Sequence, residues 1–339
     1  ENQGYSVGIY TSPHLISYTE RFQINGVPIN DDELSLQLST LSHLISRLQL
    51  TEFEVLTLIA WQYFNKIRPD FVVIEAGLGG RLDATVICRP ILTVITTISL
   101  DHVELLGPTL IDIAKEKAGI LKNGVPCVML DQSPAVLRTV KNRAKMLNAQ
   151  LTLVPRVHES YFQTNMRLAQ TAATILFPDI DLPETLIPRI AGRLDIIRRT
   201  PFILADSAHN LEGITMLVAI LKTRSFRGHI WYSATRRPDL LIILRTLLLI
   251  TNKLVIFEFD HPRAATRKDY PKEIFNDKRI QYITIKAKNA FIKKALLQKD
   301  LNICLTGSIY FLGDMYPSLR QNGTPDIIEE KSLSRRHIT

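Results

Sequence analysis

Short runs of β-branched and apolar residues alternate along the chain with longer stretches in which apolar positions recur every three or four residues. The first pattern reads as strands covered on both faces, the second as helices with one apolar stripe. The spacing predicts strands at 6–10, 71–75, 92–98 and 125–130, then at 202–206, 229–233, 254–259, 280–285 and 302–306. It predicts helices at 32–48, 53–66, 109–121, 133–147, 163–176, 211–223, 239–250 and 289–298. This alternation is α/β, with mainly parallel sheets flanked by helices. Between Phe177 and Arg193 the periodicity fails, and Pro178, Pro183, Pro188 and Gly192 intervene. The chain is therefore expected to divide into a first α/β domain over 1–187, a linker over 188–200, a second domain over 201–325 and a flexible tail over 326–339.

At 339 residues, 46% hydrophobic and 22% charged, the composition is that of a globular protein with room for two cores. The longest apolar runs, Leu240–Leu244 and Leu247–Ile250, are too short to span a bilayer. The first residues carry neither the basic start nor the apolar stretch of a signal peptide. Cys88, Cys127 and Cys304 are too widely spaced for a zinc site and read as reduced thiols, so a cytoplasmic location is expected. A net charge of +8 suits an anionic ligand as well as plain solubility. No basic run is interleaved with aromatics, so no nucleic-acid partner is expected.

Candidate chemistry gathers where predicted strands end, because the carboxyl ends of parallel strands share one edge. "GIYTSPHL" delivers Ser12 and His14, "FVVIEAG" delivers Glu75, and "VITTISLDH" delivers Asp101 and His102. Mg²⁺ bound to phosphates takes one or two protein carboxylates and fills its shell with other oxygens. Glu75 suits a direct ligand and Ser12 a second; the competing readings are a helix cap or a pair with Arg81 for Glu75, and a core role for His102. Gly77, Gly79 and Gly80 let the backbone approach a phosphate, although a dinucleotide fingerprint fails at Leu82. In the helix after Thr109, Lys117 shares a face with Leu110, Ile113, Ala114 and Ala118. A lysine there must lose its charge, find an acid, be modified, or snorkel to the rim.

"YTSPHL", "ERFQING", "EAGLGGRLDAT", "LGPTLIDIAKEKAGILKNGVP", "AGRLDII", "DSAHN", "HPRAA" and "TGSIYFLGD" occur in this order from Tyr10 to about Asp314. Together they resemble the folylpolyglutamate synthase and dihydrofolate synthase family of the Mur ligase superfamily. The resemblance implies a Mur-ligase-like ATPase domain followed by a Rossmann-like ligase domain. It implies an enzyme that uses ATP and Mg²⁺ to join L-glutamate to folate or dihydropteroate through an acyl phosphate; a monomer is expected. By the same resemblance Ser12, Glu75, His102 and a carbamylated Lys117 would bind the metal. Asn165, Arg193, Asp206, Gly79 and Gly80 would contact the nucleotide, with Asp206 on the ribose. Lys117, His209 and Arg193 would stand at the reacting end.

The family also carries a P-loop, and no G-x-x-x-x-G-K-[ST] occurs in these 339 residues. The chain is therefore expected to need such a segment for activity, and its sheet to lack a strand. Val86, Ser207 and Arg236-Arg237 also depart from the family pattern. An inactive relative that binds folate, nucleotide or a protein partner is the alternative reading.

Overall fold

The computed structural model describes residues 4–156, 161–179 and 190–320, and the chain forms two compact units, 1–186 and 187–339. The first contains β1 (Val7–Tyr10), β2 (Phe22–Ile24), β3 (Val27–Pro28), α1 (Asp31–Leu48), α2 (Glu52–Ile67) and β4 (Phe71–Ile74). It continues with β5 (Thr93–Ile95), α3 (Val103–Leu106), α4 (Leu110–Lys117), β6 (Cys127–Leu130), α5 (Pro134–Met146), β7 (Leu151–Val154) and α6 (Tyr161–Leu176). Two sheets result, ordered β3-β2-β1-β4 and β5-β6-β7. β1 and β4 run parallel with Tyr10 opposite Ile74, and β5, β6 and β7 are parallel throughout.

Each sheet is built by the alternation of a pleated strand. On β6, Cys127 and Met129 pack with Ile113 and Ala114 of α4 and Val136 and Val140 of α5, whereas Val128 and Leu130 pack with Leu168 of α6. Tyr10 and Phe22 meet Leu56, Ile59, Ala60 and Phe64 of α2. Thr51 and Glu54 start α2 with a reciprocal capping box.

The second unit contains β8 (Asp195–Arg199), β9 (Phe202–Asp206), α7 (Leu211–Thr223), β10 (His229–Ser233) and α8 (Leu240–Leu247). β11 (Lys253–Phe257), β12 (Ile280–Ile283), α9 (Ile285–Leu296), β13 (Asn302–Gly307) and α10 (Ile309–Leu319) complete it. The sheet order is β12-β11-β10-β13-β9-β8. All neighbours are parallel except β8, which runs antiparallel to β9. One face buries Ile230, Tyr232, Leu254, Ile256 and Cys304 against α7 and α8. On the other, Trp231, Phe257, Phe291 and Phe311 make an aromatic cluster with ring centroids 5.1 to 5.7 Å apart.

The structure corrects several expectations. Part of the segment expected as linker, Asp195–Arg199, is the edge strand β8, because its Asp195, Ile196 and Ile197 are buried against β9. A short hairpin, β2–β3, lies where no strand was expected; Asn25 and Gly26 turn it with φ of 50° and 72°. β7 and α10 were likewise unforeseen, and the helix expected over 109–121 ends at Lys117 in a 3-10 turn, Ala118–Ile120. The expected tail, 326–339, lies outside the described residues. Among the described residues no helix is long and apolar enough to cross a membrane.

Candidate active site

Pairing of β1 with β4 closes the 63-residue gap between Ser12 and Glu75. The Glu75 amide donates to the Tyr10 carbonyl at 2.9 Å, extending the ladder one residue past the strand. The Ser12 amide then donates to Glu75 Oε2 at 2.9 Å. Glu75 is an exposed carboxylate at the carboxyl end of a parallel pair. The alternative pair with Arg81 is not what forms: Arg81 donates through Nε and Nη2 to Glu116 Oε1 at 2.9 and 2.8 Å. His14 turns elsewhere, packing against the Tyr18 ring at a tilt of 48° and accepting the Arg21 Nε–H on Nδ1 at 2.9 Å.

The glycine loop after β4 is held by protein. A Cβ on Gly77 would lie 2.5 Å from the Phe53 ring, one on Gly79 2.9 Å from Leu106, and one on Gly80 2.9 Å from the Glu116 carbonyl. Close packing requires all three positions to lack a side chain, and Gly79 and Gly80 are buried. Asp83 closes the loop: it accepts from the Leu78 amide at 2.8 Å and from the Thr85 amide at 2.9 Å. The Arg81 amide donates to the Glu116 carbonyl at 2.8 Å, which fixes the loop that follows Glu75 on the end of α4.

Lys117 is the last residue of α4. Burial pushes its amine below the ordinary lysine range, and the Asp101 carboxylate opposes that shift in part. His102 is exposed, in left-handed backbone with φ 49°, at the start of α3. Among the described residues no three His, Cys, Asp or Glu side chains gather into a metal cage. The structure brings Ser12 and Glu75 together, and the Asp101 carboxylate acts on the Lys117 charge. That set fits Mg²⁺, which needs only one or two protein oxygens beside phosphate and water.

In the second unit, Asp206 is 2% exposed and its oxygens accept from the Leu194 and Ala208 amides, both at 2.9 Å. It braces two turns, and a ribose contact would have to use remaining lone pairs of those same oxygens. One of the braced turns carries Arg193, an exposed side chain. The Ser207 amide donates to the Gly192 carbonyl at 2.8 Å, the Gly192 amide to Tyr316 Oη at 2.7 Å, and Tyr316 Oη to Asp195 Oδ2 at 2.7 Å. Ser207 is accommodated with its side chain buried. His209 is exposed just past β9, and its carbonyl accepts from Arg237, which also forks onto Asp239. Asn165 is exposed on α6 of the first unit.

No protein-family profile matches the chain. It is 42% identical over 309 residues to the dihydrofolate synthetase of Saccharomyces cerevisiae, covering 77% of this chain and 72% of that protein. The chain belongs to the folylpolyglutamate/dihydrofolate synthase family. It is also 29% identical to the dihydrofolate synthase/folylpolyglutamate synthase of Bacillus subtilis, covering 94% of this chain and 85% of the relative. The Mycobacterium tuberculosis folylpolyglutamate synthase, solved with ADP and AMPPCP, shares the fold with a TM-score of 0.80 at 24% identity, over 96% of this chain and 86% of that one. The apo form of the Lacticaseibacillus casei enzyme matches with a TM-score of 0.75 at 27% identity, over 93% and 84%.

The chain is thus a member of a family of ATP-dependent carbon–nitrogen ligases with a two-domain α/β architecture. Several residues that position this family member's candidate site carry no motif. Asp83, Glu116, Tyr316 and Asp195 hold loops, and they meet their partners across up to 121 residues of sequence. Only Asp83 carried a local signal, an acid two residues before a threonine in a turn.

Proposed function

We propose that this chain joins L-glutamate to folate or dihydropteroate, with ATP converting the acceptor carboxylate to an acyl phosphate. The observation that carries the reading is the β1–β4 register, which sets the exposed Glu75 carboxylate beside Ser12 at a strand-end edge in a chain 42% identical to a dihydrofolate synthetase. Bound Mg²⁺ would neutralise the charge that develops on the transferring phosphoryl oxygens. Glu75 and Ser12 would hold that ion, with His102 at the start of α3 as a further ligand. The depressed Lys117 amine is neutral more readily than an ordinary lysine, which is the form that reacts with CO₂ to give a carbamate. Arg193, on its clamped turn, would meet phosphate; Asn165 and Asp206 would contact the nucleotide, and His209 would stand at the reacting end. Free Cys88, Cys127 and Cys304 support a cytoplasmic setting, and a monomer suffices for this assignment of roles.

The test is glutamate ligation with Mg²⁺–ATP, using dihydropteroate and tetrahydrofolate in parallel, on the chain alone and extended by the P-loop segment of a close relative. Glu75→Gln should lower kcat by roughly 10²–10³, the scale of losing a group that stabilises transition-state charge. Folded protein that forms no amide in either form, and binds no nucleotide by calorimetry, would overturn the proposal.

A further inference from the structure

At the carboxyl end of the second unit's parallel sheet, the loop between β10 and α8 carries Arg236 and Arg237, two residues that depart from the family pattern. Thr235 forms a bridge with Ala264, the Ala265 amide donates to the Ala234 carbonyl at 2.8 Å, and the Arg236 amide donates to the Arg263 carbonyl at 2.9 Å. The Arg236 guanidinium reaches the Pro262 carbonyl through Nη2 at 2.9 Å and the Ala264 carbonyl through Nη1 at 3.5 Å. Backbone and side chain together thus moor the loop to the segment that follows β11. A side chain rising from so fixed a backbone has less freedom to lose when it takes one place.

That side chain is Arg237, 19% exposed. Its Nε and Nη2 fork onto the two carboxylate oxygens of Asp239, which sets the plane of the guanidinium. Pro238 stands between the two residues, and its fixed φ limits how far they can separate. Nη1 then crosses to the neighbouring loop and donates to the His209 carbonyl at 2.6 Å. The turn it meets is tied on either side of that point. The Ala208 carbonyl accepts from the Gly307 amide at 3.0 Å, and the Asn210 carbonyl opens the α7 ladder by accepting from the Ile214 amide at 2.9 Å. The His209 ring lies over the same turn, with Nδ1 3.0 Å from the Ser207 carbonyl. A carbonyl can only accept, so Nδ1 carries the proton of this bond and, in the neutral ring, Nε2 carries the lone pair.

We propose that Arg237 is a positioning residue for His209. By holding the 209 carbonyl it fixes the backbone from which the imidazole reaches Ser207, and so selects the tautomer whose basic nitrogen is Nε2. The consequence for the reaction rests on the ligase reading, which stands His209 at the reacting end. An Nε2 lone pair held in one direction can accept a hydrogen bond from the ammonium of the incoming glutamate, and the opposite tautomer cannot. Arg237 therefore acts on glutamate rather than on nucleotide.

Nitrogen-15 NMR of the histidine rings, with His209 assigned by the spectrum of His209→Gln, tests the tautomer without any substrate. The parent should show the Nδ1–H form, and Arg237→Met, which removes the donors and keeps an unbranched side chain, should shift the ring toward Nε2–H. Arg237→Lys, which can reach the 209 carbonyl but cannot fork onto Asp239 as well, should restore the Nδ1–H form in part. In glutamate ligation by whichever form of the chain is active, Arg237→Met should raise the KM for glutamate by roughly tenfold, the scale of one lost hydrogen bond to a charged group, and leave the KM for ATP unchanged. Folded Arg237→Met protein with the parent's tautomer would overturn the proposal, as would equal rises in both KM values. A tautomer shift in a chain that ligates no glutamate would uphold the positioning role and count against the ligase reading alone.

Discussion

His14 accepts the Arg21 guanidinium N–H on Nδ1, so the pair requires a neutral imidazole. Burial pushes its pKa down, the Arg21 charge adds to the shift, and Glu20 and Glu52 oppose it. Arg21 itself is 6% exposed and lies over the Tyr18 ring at 5.2 Å. With its folded pKa below the unfolded value near 6.5, the native state binds fewer protons than the unfolded chain between the two values. This contribution is present above about pH 6.5 and is lost as pH falls through the unfolded pKa toward the depressed one. His14→Gln, which keeps an acceptor and cannot titrate, should flatten the fall in urea-unfolding free energy between about pH 7 and 5 relative to the parent. An unchanged slope would mean that the interaction with Arg21 does not govern this proton.

At the scale of elements, the loop 75–83 shows how a glycine-rich stretch can serve packing. Gly80 is pressed between Ile120 and the Glu116 carbonyl, so an added methyl has no space to occupy. Gly80→Ala should therefore cost about 1–3 kcal/mol of stability in the absence of any ligand, as overpacking does. Thermal melts of the nucleotide-free protein check this. A variant with an unaltered melt and weakened nucleotide binding would return the glycine to the phosphate. The β2–β3 hairpin makes the complementary point, since its Asn-Gly turn was legible in "ERFQING" and needed only to be read as a turn. Asp195–Arg199 was not legible, because proximity to prolines and Gly192 suggested a linker while burial against β9 made it a strand.

Across the molecule, the two units bury their sheets unequally. β10, β11 and β13 lie inside a six-stranded sheet with both faces covered, and Ile230, Trp231, Tyr232, Val255, Ile256 and Leu305 are fully buried. β4 in the first unit is a sheet edge with two exposed valines. Exchange of backbone amides in β10 and β13 should thus track global unfolding, while those of Val72 and Ile74 should exchange by local opening at lower free energy. Hydrogen exchange followed across a urea series checks this. Equal free energies and equal denaturant slopes in both sheets would contradict it.

The α/β class and most of the strands and helices were legible in the amino-acid order, because strand and helix periodicity is written in consecutive residues. The same order also placed Ser12, Glu75, Lys117, Asp206 and His209 at the ends of elements, and its motifs identified the family. Tertiary structure alone decided which of those residues meet. The β1–β4 register brought Ser12 to Glu75, Glu116 took Arg81 from Glu75, and Asp206 was enclosed by the amides of residues 194 and 208. Partner choice depends on distances between segments far apart in the chain, and on how much water each burial removes. Neither quantity has a local signature in the order of amino acids.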